Sequence, residues 1–234
     1  MSGLDFLNLG VAEAEFDRIR RRMLDLNRSL SGRRMVAVFD GRAPGGPAAS
    51  LTQTADIFID ASCDGHAAFE LPTPADLVIR VSTLTAIDTD LSDALVAAVN
   101  ARGDQRLHST DMDIRCAVQE AIGNAVIHGN LGLDGSMRAD LAGLRIFAEA
   151  MEKRRGDPAR ACLPVTIITR TRGTELEVSI EDRGRGFSPP LTRPTRPPPV
   201  AAGGLGLVII HRCCSKVGFG LGGRRITMTF SAAP

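Results

Sequence analysis

The chain has 234 residues, 44% of them hydrophobic, and a formal net charge of +1, so it can bury a sizeable core and gives no electrostatic case for nucleic-acid binding. No apolar run approaches the roughly 20 residues of a membrane span, and the N-terminus lacks the basic start of a signal peptide, so we expect no membrane association. Five cysteines without a CxxC pair are typical of a reduced, cytoplasmic protein with buried thiols.

The first predicted element is an amphipathic helix near the N-terminus. Apolar residues recur every three or four positions from Leu9 to Leu30, which places them on one face of a helix. Two interpretations are open: the helix packs on its own domain, or it docks on a partner, such as a second copy in a homodimer. Residues 42–50 are rich in Pro and Gly and indicate a turn or linker. We therefore predict an extension of helix and linker at 1–65 and a larger domain at 66–234.

The middle of the chain predicts mainly helices, and its end predicts strands. Residues 69–84 contain a strand followed by helix-compatible sequence, and a capping-box pattern at Thr110 indicates a helix start. A further helical pattern covers residues 141–151. The apolar period then changes to two, as in strands, at residues 165–169, 176–180 and 226–230. This order favours helices layered on one face of a mixed sheet.

The helix predicted after Thr110 carries a polar row. Glu120 and Asn124 are four residues apart and share a face opposite the apolar stripe, and His128 continues the row. An Asn carbonyl oxygen suits Mg²⁺, which takes few protein ligands together with waters and phosphate oxygens. A Glu one turn away can deprotonate a nucleophile near a terminal phosphate. A solvated helix face is the alternative for this pair, and a hydrogen bond to local backbone is the alternative for His128.

Asp182 ends an alternating strand and enters a glycine turn with Gly184, Gly186 and Phe187. A carboxylate only accepts hydrogen bonds, so it suits the exocyclic amine of adenine, whereas guanine would present a carbonyl oxygen. The glycines let the backbone approach a flat ring closely. Since the chain has no Trp or Tyr, only Phe can stack on a base. An ordinary Asp-x-Gly turn is the alternative.

A glycine run at Gly203, Gly204, Leu205 and Gly206 precedes an apolar helical sequence. Such a run can offer backbone N–H groups to phosphate, assisted by the helix dipole. It matches neither the P-loop, which needs Gly-Lys-Ser/Thr, nor the dinucleotide fingerprint, which lies between an opening strand and its helix. The proline-rich segment 188–202 precedes the run, and we interpret it as a stiff lid over a nucleotide.

In this order, the three motifs resemble the GHKL superfamily of gyrase-type, heat-shock-chaperone, histidine-kinase and MutL-type ATPases. Within it, Glu-Ala-x-x-Asn-Ala-x-x-His-Gly-Asn, from Glu120 to Asn130, is most similar to the anti-sigma-factor serine/threonine kinase branch. The resemblance covers roughly residues 69–230. It implies a Bergerat-type α/β two-layer sandwich, with a mixed sheet covered on one face by helices and an N-terminal helical extension outside the resemblance.

The resemblance also implies ligands and residue roles. ATP and Mg²⁺ would bind, with Glu120 as the catalytic base and Asn124 as the metal ligand. Arg224 stands where the family often has a threonine near adenine, and Thr227 is the nearest substitute. The residues implied in nucleotide binding are Asn124, His128, Asp182, Gly184, Gly186, Phe187, Gly203, Gly204, Leu205, Gly206 and Thr227.

The implied function is a serine/threonine protein kinase that acts on a sigma factor or a STAS-type anti-sigma antagonist by partner switching. Two alternatives stay open. One is a nucleotide-responsive binding module with little phosphotransfer, and the other is an ATP-binding catalytic fragment that serves a separate histidine phosphotransfer protein. None of the four histidines lies in a phosphoacceptor context on a dimerising helix, which argues against autophosphorylation.

Overall fold

A single sheet runs through both halves of the chain. The computed structural model describes residues 3–63, 65, 67–102, 110–134, 141–188 and 205–231. The strands within these residues are β1 (Gly3–Leu9), β2 (Arg33–Phe39), β3 (Ile57–Asp60), β4 (Leu77–Ser82), β5 (Pro164–Arg172), β6 (Glu175–Glu181), β7 (Lys216–Gly220) and β8 (Arg225–Ser231). The helices are α1 (Glu13–Leu26), α2 (Gly46–Ser50), α3 (Thr83–Asp88), α4 (Leu91–Ala101), α5 (Asp111–Asn124), α6 (Leu141–Arg155), α7 (Pro158–Ala161) and α8 (Leu205–Cys213).

The sheet is mixed, as the sequence predicts. Its order is β1-β2-β3-β4-β5-β6-β8-β7. The first four strands pair in parallel, and the pairings from β4 onward are antiparallel. The first 65 residues therefore contain three strands in addition to the predicted helix, and these strands extend the same sheet. Strand β3 and the second half of β2 were not predicted because they are short apolar runs buried on both faces, without polar alternation.

Strand alternation divides the core between the two faces of the sheet. In β2, Ala37 and Phe39 point to one face, and Val36 and Val38 point to the other. The first face carries the larger apolar cluster, which includes residues of α4, α5 and α8 together with the apolar side chains of β4, β5, β6 and β8. This face corresponds to the predicted helical layer, and it positions α5 and α8 against the antiparallel half of the sheet.

The N-terminal helix covers the opposite face of the parallel strands. Its residues Phe16, Ile19 and Met23 are buried in a second apolar cluster with Val36 and Ile57. The structure thus agrees with the first of the two interpretations, a helix packed on its own domain. Leu26, the next residue of the stripe, is 44% exposed, so docking of this helix on a partner stays a prediction.

The sequence predicts buried thiols, but the cysteines are not all buried. Cys63 and Cys214 are buried, whereas Cys116 is exposed on α5. Burial raises the pKa of the Cys213 thiol to about 11, so the thiolate is disfavoured at neutral pH.

Among the described residues, no helix has the length and apolar character needed to cross a bilayer.

Candidate functional site

A cavity of about 640 Å³ lies between α5, α8 and the end of the antiparallel strands. It is large enough for a nucleotide-sized ligand. Side chains from all three sequence motifs line it, although these motifs are far apart in the chain. The predicted site residues in the lining are Glu120, Asn124, His128, Asp182, Gly186, Phe187, Leu205 and Gly206.

One wall of the cavity is the polar row of α5. Glu120 and Asn124 belong to α5, and the chain continues into a turn of π-helix at Ala125–Asn130 that carries His128. Single π-helical turns occur frequently at functional sites. The Nδ1 atom of His128 lies 2.8 Å from the carbonyl oxygen of Leu133. The predicted bond of this histidine to local backbone is therefore confirmed, and the ring borders the cavity as well.

The N-terminus of α8 meets the acidic end of this wall. A Cβ atom at position 206 would lie 2.6 Å from Glu120 Oε2 and 3.6 Å from Asn124 Nδ2, so the first turn of α8 lies directly against these two side chains. The first N–H groups of α8 lack intrahelical partners and carry the positive end of the helix dipole. A phosphate held there would lie beside Glu120 and Asn124. Gly203 and Gly204, which complete the predicted run, lie outside the described residues.

The opposite end of the cavity is formed by Asp182. Its backbone N–H donates to the carbonyl of Arg224 at 3.0 Å, and its Oδ1 accepts from the Gly184 N–H at 2.7 Å. Burial raises the pKa of the Asp182 carboxyl above its ordinary value, whereas the Gly184 N–H and the Arg224 guanidinium act in the opposite direction. The carboxylate is thus partly desolvated and has acceptor capacity left for a ligand.

Two glycines in the turn after β6 fit where no side chain could. A Cβ on Gly184 would overlap the backbone of Gly129, and a Cβ on Gly186 would overlap the carbonyl oxygen of Gly222. Gly186 also has a φ of +73°, which favours glycine. Gly184 does not line the cavity, but it holds the carboxylate of Asp182 through its N–H.

Apolar side chains close the Asp182 end of the cavity. Phe187 is 45% exposed and packs edge-to-face on Phe219 at a centroid distance of 5.5 Å. Ile180 and Ile226, opposite each other on β6 and β8, line the floor. A flat, apolar ring with a polar edge toward Asp182 matches these surroundings.

The structure does not bring Thr227 to the cavity. Successive side chains of a strand point to opposite faces, and Ile226 and Met228 of β8 point to the cavity and the core beneath it. Thr227 therefore points away, and its hydroxyl lies 2.8 Å from that of Ser179. Arg224, rather than Thr227, lines the cavity beside Asp182.

Asn130 is a positioning residue that the sequence analysis did not single out. It is fully buried, and its Nδ2 donates to Thr83 Oγ1 at 2.8 Å and to the carbonyl of Pro164 at 3.1 Å. Its Oδ1 accepts from the Arg183 N–H at 2.7 Å. The side chain thus ties the end of the π-helical turn to the residue after Asp182. Its place in the Glu120–Asn130 sequence similarity was the available signal.

The donor set of the cavity fits Mg²⁺ held jointly with phosphate. Asn124 lines the wall and carries an amide oxygen, and Mg²⁺ typically takes one or two protein ligands plus phosphate oxygens and water. Within the described part of the chain, no group of three or more His, Cys, Asp or Glu side chains is arranged to hold a metal by itself.

Comparison with known proteins agrees with this geometry. A family model of the histidine kinase-like ATPase domain matches residues 81–230, which include every element that lines the cavity. A search of curated proteins gives no match. The eight-stranded mixed sheet with its helical layer is the α/β fold that the resemblance implies for such a domain. Because the match spans more than half of its length, the chain belongs to the histidine kinase-like ATPase domain family.

Proposed function

We propose that the protein is an ATP-dependent serine/threonine kinase that regulates an anti-sigma-type partner switch. Domains of this family bind ATP, generally with Mg²⁺. The observation that carries the proposal is the shared cavity: Asp182 stands at its apolar end, and Glu120, Asn124 and Gly206 stand together at its other end. The two ends provide separate places for a base and for phosphates.

The proposed reaction transfers the γ-phosphoryl group of ATP to a hydroxyl of the partner. A bond forms between the hydroxyl oxygen and the γ-phosphorus, the bond to the bridging oxygen breaks, and ADP leaves. Glu120 accepts the hydroxyl proton, since its carboxylate faces the α8 N-terminus where the phosphates would lie. The N–H groups of α8 bind phosphate oxygens, and Asp182 accepts from the adenine amine.

Asn124 would hold Mg²⁺ through its amide oxygen. When bound, the ion neutralises charge on the phosphate oxygens during transfer. Asn124 lies one helical turn from Glu120 on the same face of α5, so the metal site and the base keep a fixed separation.

Phosphotransfer to candidate partners tests the proposal. We expect the full chain, incubated with γ-labelled ATP and Mg²⁺, to label a STAS-type antagonist on serine or threonine. The phosphate would resist acid and be released by alkali. An acid-labile label would instead indicate a histidine phosphotransfer partner. Absence of any transfer across a panel of STAS-type proteins from the same organism, with ATP binding intact, would contradict the kinase proposal.

A second candidate function is a nucleotide-responsive binding module. The part of the chain before residue 81 lies outside the family match, yet it includes α1, β1, β2, β3 and most of β4, and these strands belong to the same sheet. Such a surface suits a partner whose binding depends on the nucleotide state. In this case Glu120→Gln would leave partner binding and its response to ATP unchanged, which distinguishes the module from the kinase.

The pH dependence of ATP affinity is a further prediction. The amine of adenine needs an ionised Asp182, but burial raises the pKa of this carboxyl and so favours its protonated form. ATP affinity should therefore be complete above the raised pKa and fall as the pH drops through it. Glu120, His128, Asp134 and Arg224 also line the cavity, and ATP itself titrates. Dissociation constants across pH for the wild type and Asp182→Asn isolate the contribution of Asp182, because the variant lacks it. Parallel curves for the two proteins would contradict the prediction.

A further inference from the structure

Arg224 is fixed at the end of the cavity that holds Asp182. Its Nε–H donates to the carbonyl of Leu221 at 3.0 Å, and its own carbonyl accepts from the Asp182 N–H at 3.0 Å. Its aliphatic stem passes over Gly186, where a Cβ would lie 3.2 Å from Arg224 Cγ. Arg224 thus lines the cavity together with Asp182, whose carboxyl its charge influences, and its Nη groups keep N–H donors that the bond to Leu221 does not use.

Asp182 and Arg224 together present an acceptor next to a donor. The edge of adenine presents the complementary pair, because the 6-amine donates and ring nitrogen N1 accepts. We propose that Arg224 reads N1 of the purine by donating a hydrogen bond to it while Asp182 accepts from the 6-amine. This inference rests on the proposed ATP site and adds a specificity-determining residue to it.

The proposal gives Arg224 a role in rejecting guanine. In guanine the two positions are exchanged, since O6 accepts and N1–H donates. A guanine in the same pose would set O6 against the Asp182 carboxylate and N1–H against the Arg224 guanidinium. One contact would then set an acceptor against an acceptor, and the other a donor against a donor. Polar groups left without a partner in a buried site strongly disfavour the wrong ligand. With Asp182 alone, one contact would be mismatched.

Two ATP analogues test the proposal in the full-length wild-type chain. 1-Deaza-ATP lacks the N1 acceptor, and 7-deaza-ATP lacks the acceptor on the other side of the amine. We expect 1-deaza-ATP to bind roughly 10–100-fold more weakly than ATP, the usual range for a hydrogen bond to a charged group. We expect 7-deaza-ATP to bind as ATP does. Loss of affinity for 7-deaza-ATP alone would overturn the proposal, because Arg224 would then face the wrong edge.

The variant Arg224→Met is the second part of the test, since methionine keeps an unbranched apolar stem without hydrogen-bond donors. We expect this variant to bind ATP and 1-deaza-ATP equally, and to discriminate less between ATP and GTP than the wild type. Equal losses for ATP and 1-deaza-ATP relative to the wild type would show a merely structural role and overturn the proposal. If the variant does not fold, the comparison of the two analogues in the wild type still tests whether N1 of the purine is contacted. Absence of ATP binding by the wild type would instead reject the proposed function.

Discussion

Glu120→Gln should lower the rate of phosphotransfer by about 10²–10⁴-fold while ATP affinity stays within a few-fold of the wild type. The amide has the shape of the carboxylate, but it cannot accept the proton of the attacking hydroxyl. Glu120 lies beside Gly206 at the α8 N-terminus and away from Asp182, so the base end of the cavity is unchanged. Single-turnover transfer to the partner and calorimetric titration with ATP measure the two quantities separately.

A matched control for this variant is Glu152→Gln on α6. Glu152 is exposed and does not line the cavity, so both the rate and the affinity should remain at wild-type values. If Glu120→Gln weakened ATP binding as much as it slowed transfer, Glu120 would be a binding residue. If it left the rate unchanged, another group would be the base, and the assignment of Glu120 would be wrong.

Asp182→Asn should weaken ATP binding by roughly 10–150-fold, corresponding to the loss of a hydrogen bond to a charged group worth about 1.5–3 kcal/mol. The amide keeps the size of the carboxylate, which packs closely against Gly129. It loses the charge that attracts the amine of adenine, and its NH₂ group places donors where acceptors are needed. Calorimetry with ATP measures the affinity, and Asp17→Asn, an exchange on α1 outside the cavity lining, is the control.

The same variant should not lose stability. Burial raises the pKa of Asp182, which means that the fold disfavours the ionised form. This penalty is absent below the pKa of the unfolded chain and is fully present above the raised pKa of the folded protein. At neutral pH the uncharged Asn should therefore leave the free energy of unfolding unchanged or higher. A large loss of stability, measured by urea unfolding without nucleotide, would indicate that Asp182 holds the fold together.

Much of the site was predictable because local patterns determine it. Helical spacing puts Glu120, Asn124 and His128 in one row, and in the structure all three line the cavity, the first two from α5 and His128 from the π-helical turn that follows. The alternating strand ends just before Asp182, which places this residue directly after the C-terminal end of β6, and glycine after it allows close backbone packing. The convergence of these segments was implied by the resemblance, since periodicity alone gives no long-range contacts.

The failure at Thr227 has a local explanation. The spacing of Ile226, Met228 and Phe230 predicts that they share one face of a strand. The same alternation places Thr227 on the other face. Conversely, Arg224 precedes β8, where alternation does not apply, so its position beside Asp182 depends on the turn at Leu221–Gly223. A conformation with positive φ at Gly222 and Gly223 could not be deduced from spacing.

The N-terminal half was predicted only in part for a different reason. The stripe of α1 is amphipathic, so its burial against the sheet follows from its pattern. Strand β3 and the last four residues of β2 are buried on both faces, and a short apolar run of this kind does not reveal its secondary structure. The parallel pairing of β3 with β4 is a tertiary property that joins the extension to the ATPase domain.

The most direct test of the account is a crystal structure of the protein with Mg²⁺ and a non-hydrolysable ATP analogue. We predict that the adenine amine lies within hydrogen-bond distance of Asp182, that the Asn124 amide oxygen is bound to Mg²⁺, and that the γ-phosphate lies between Glu120 and the N-terminus of α8. A nucleotide bound elsewhere, or one in the cavity with its base at Glu120 and its phosphates at Asp182, would contradict the account.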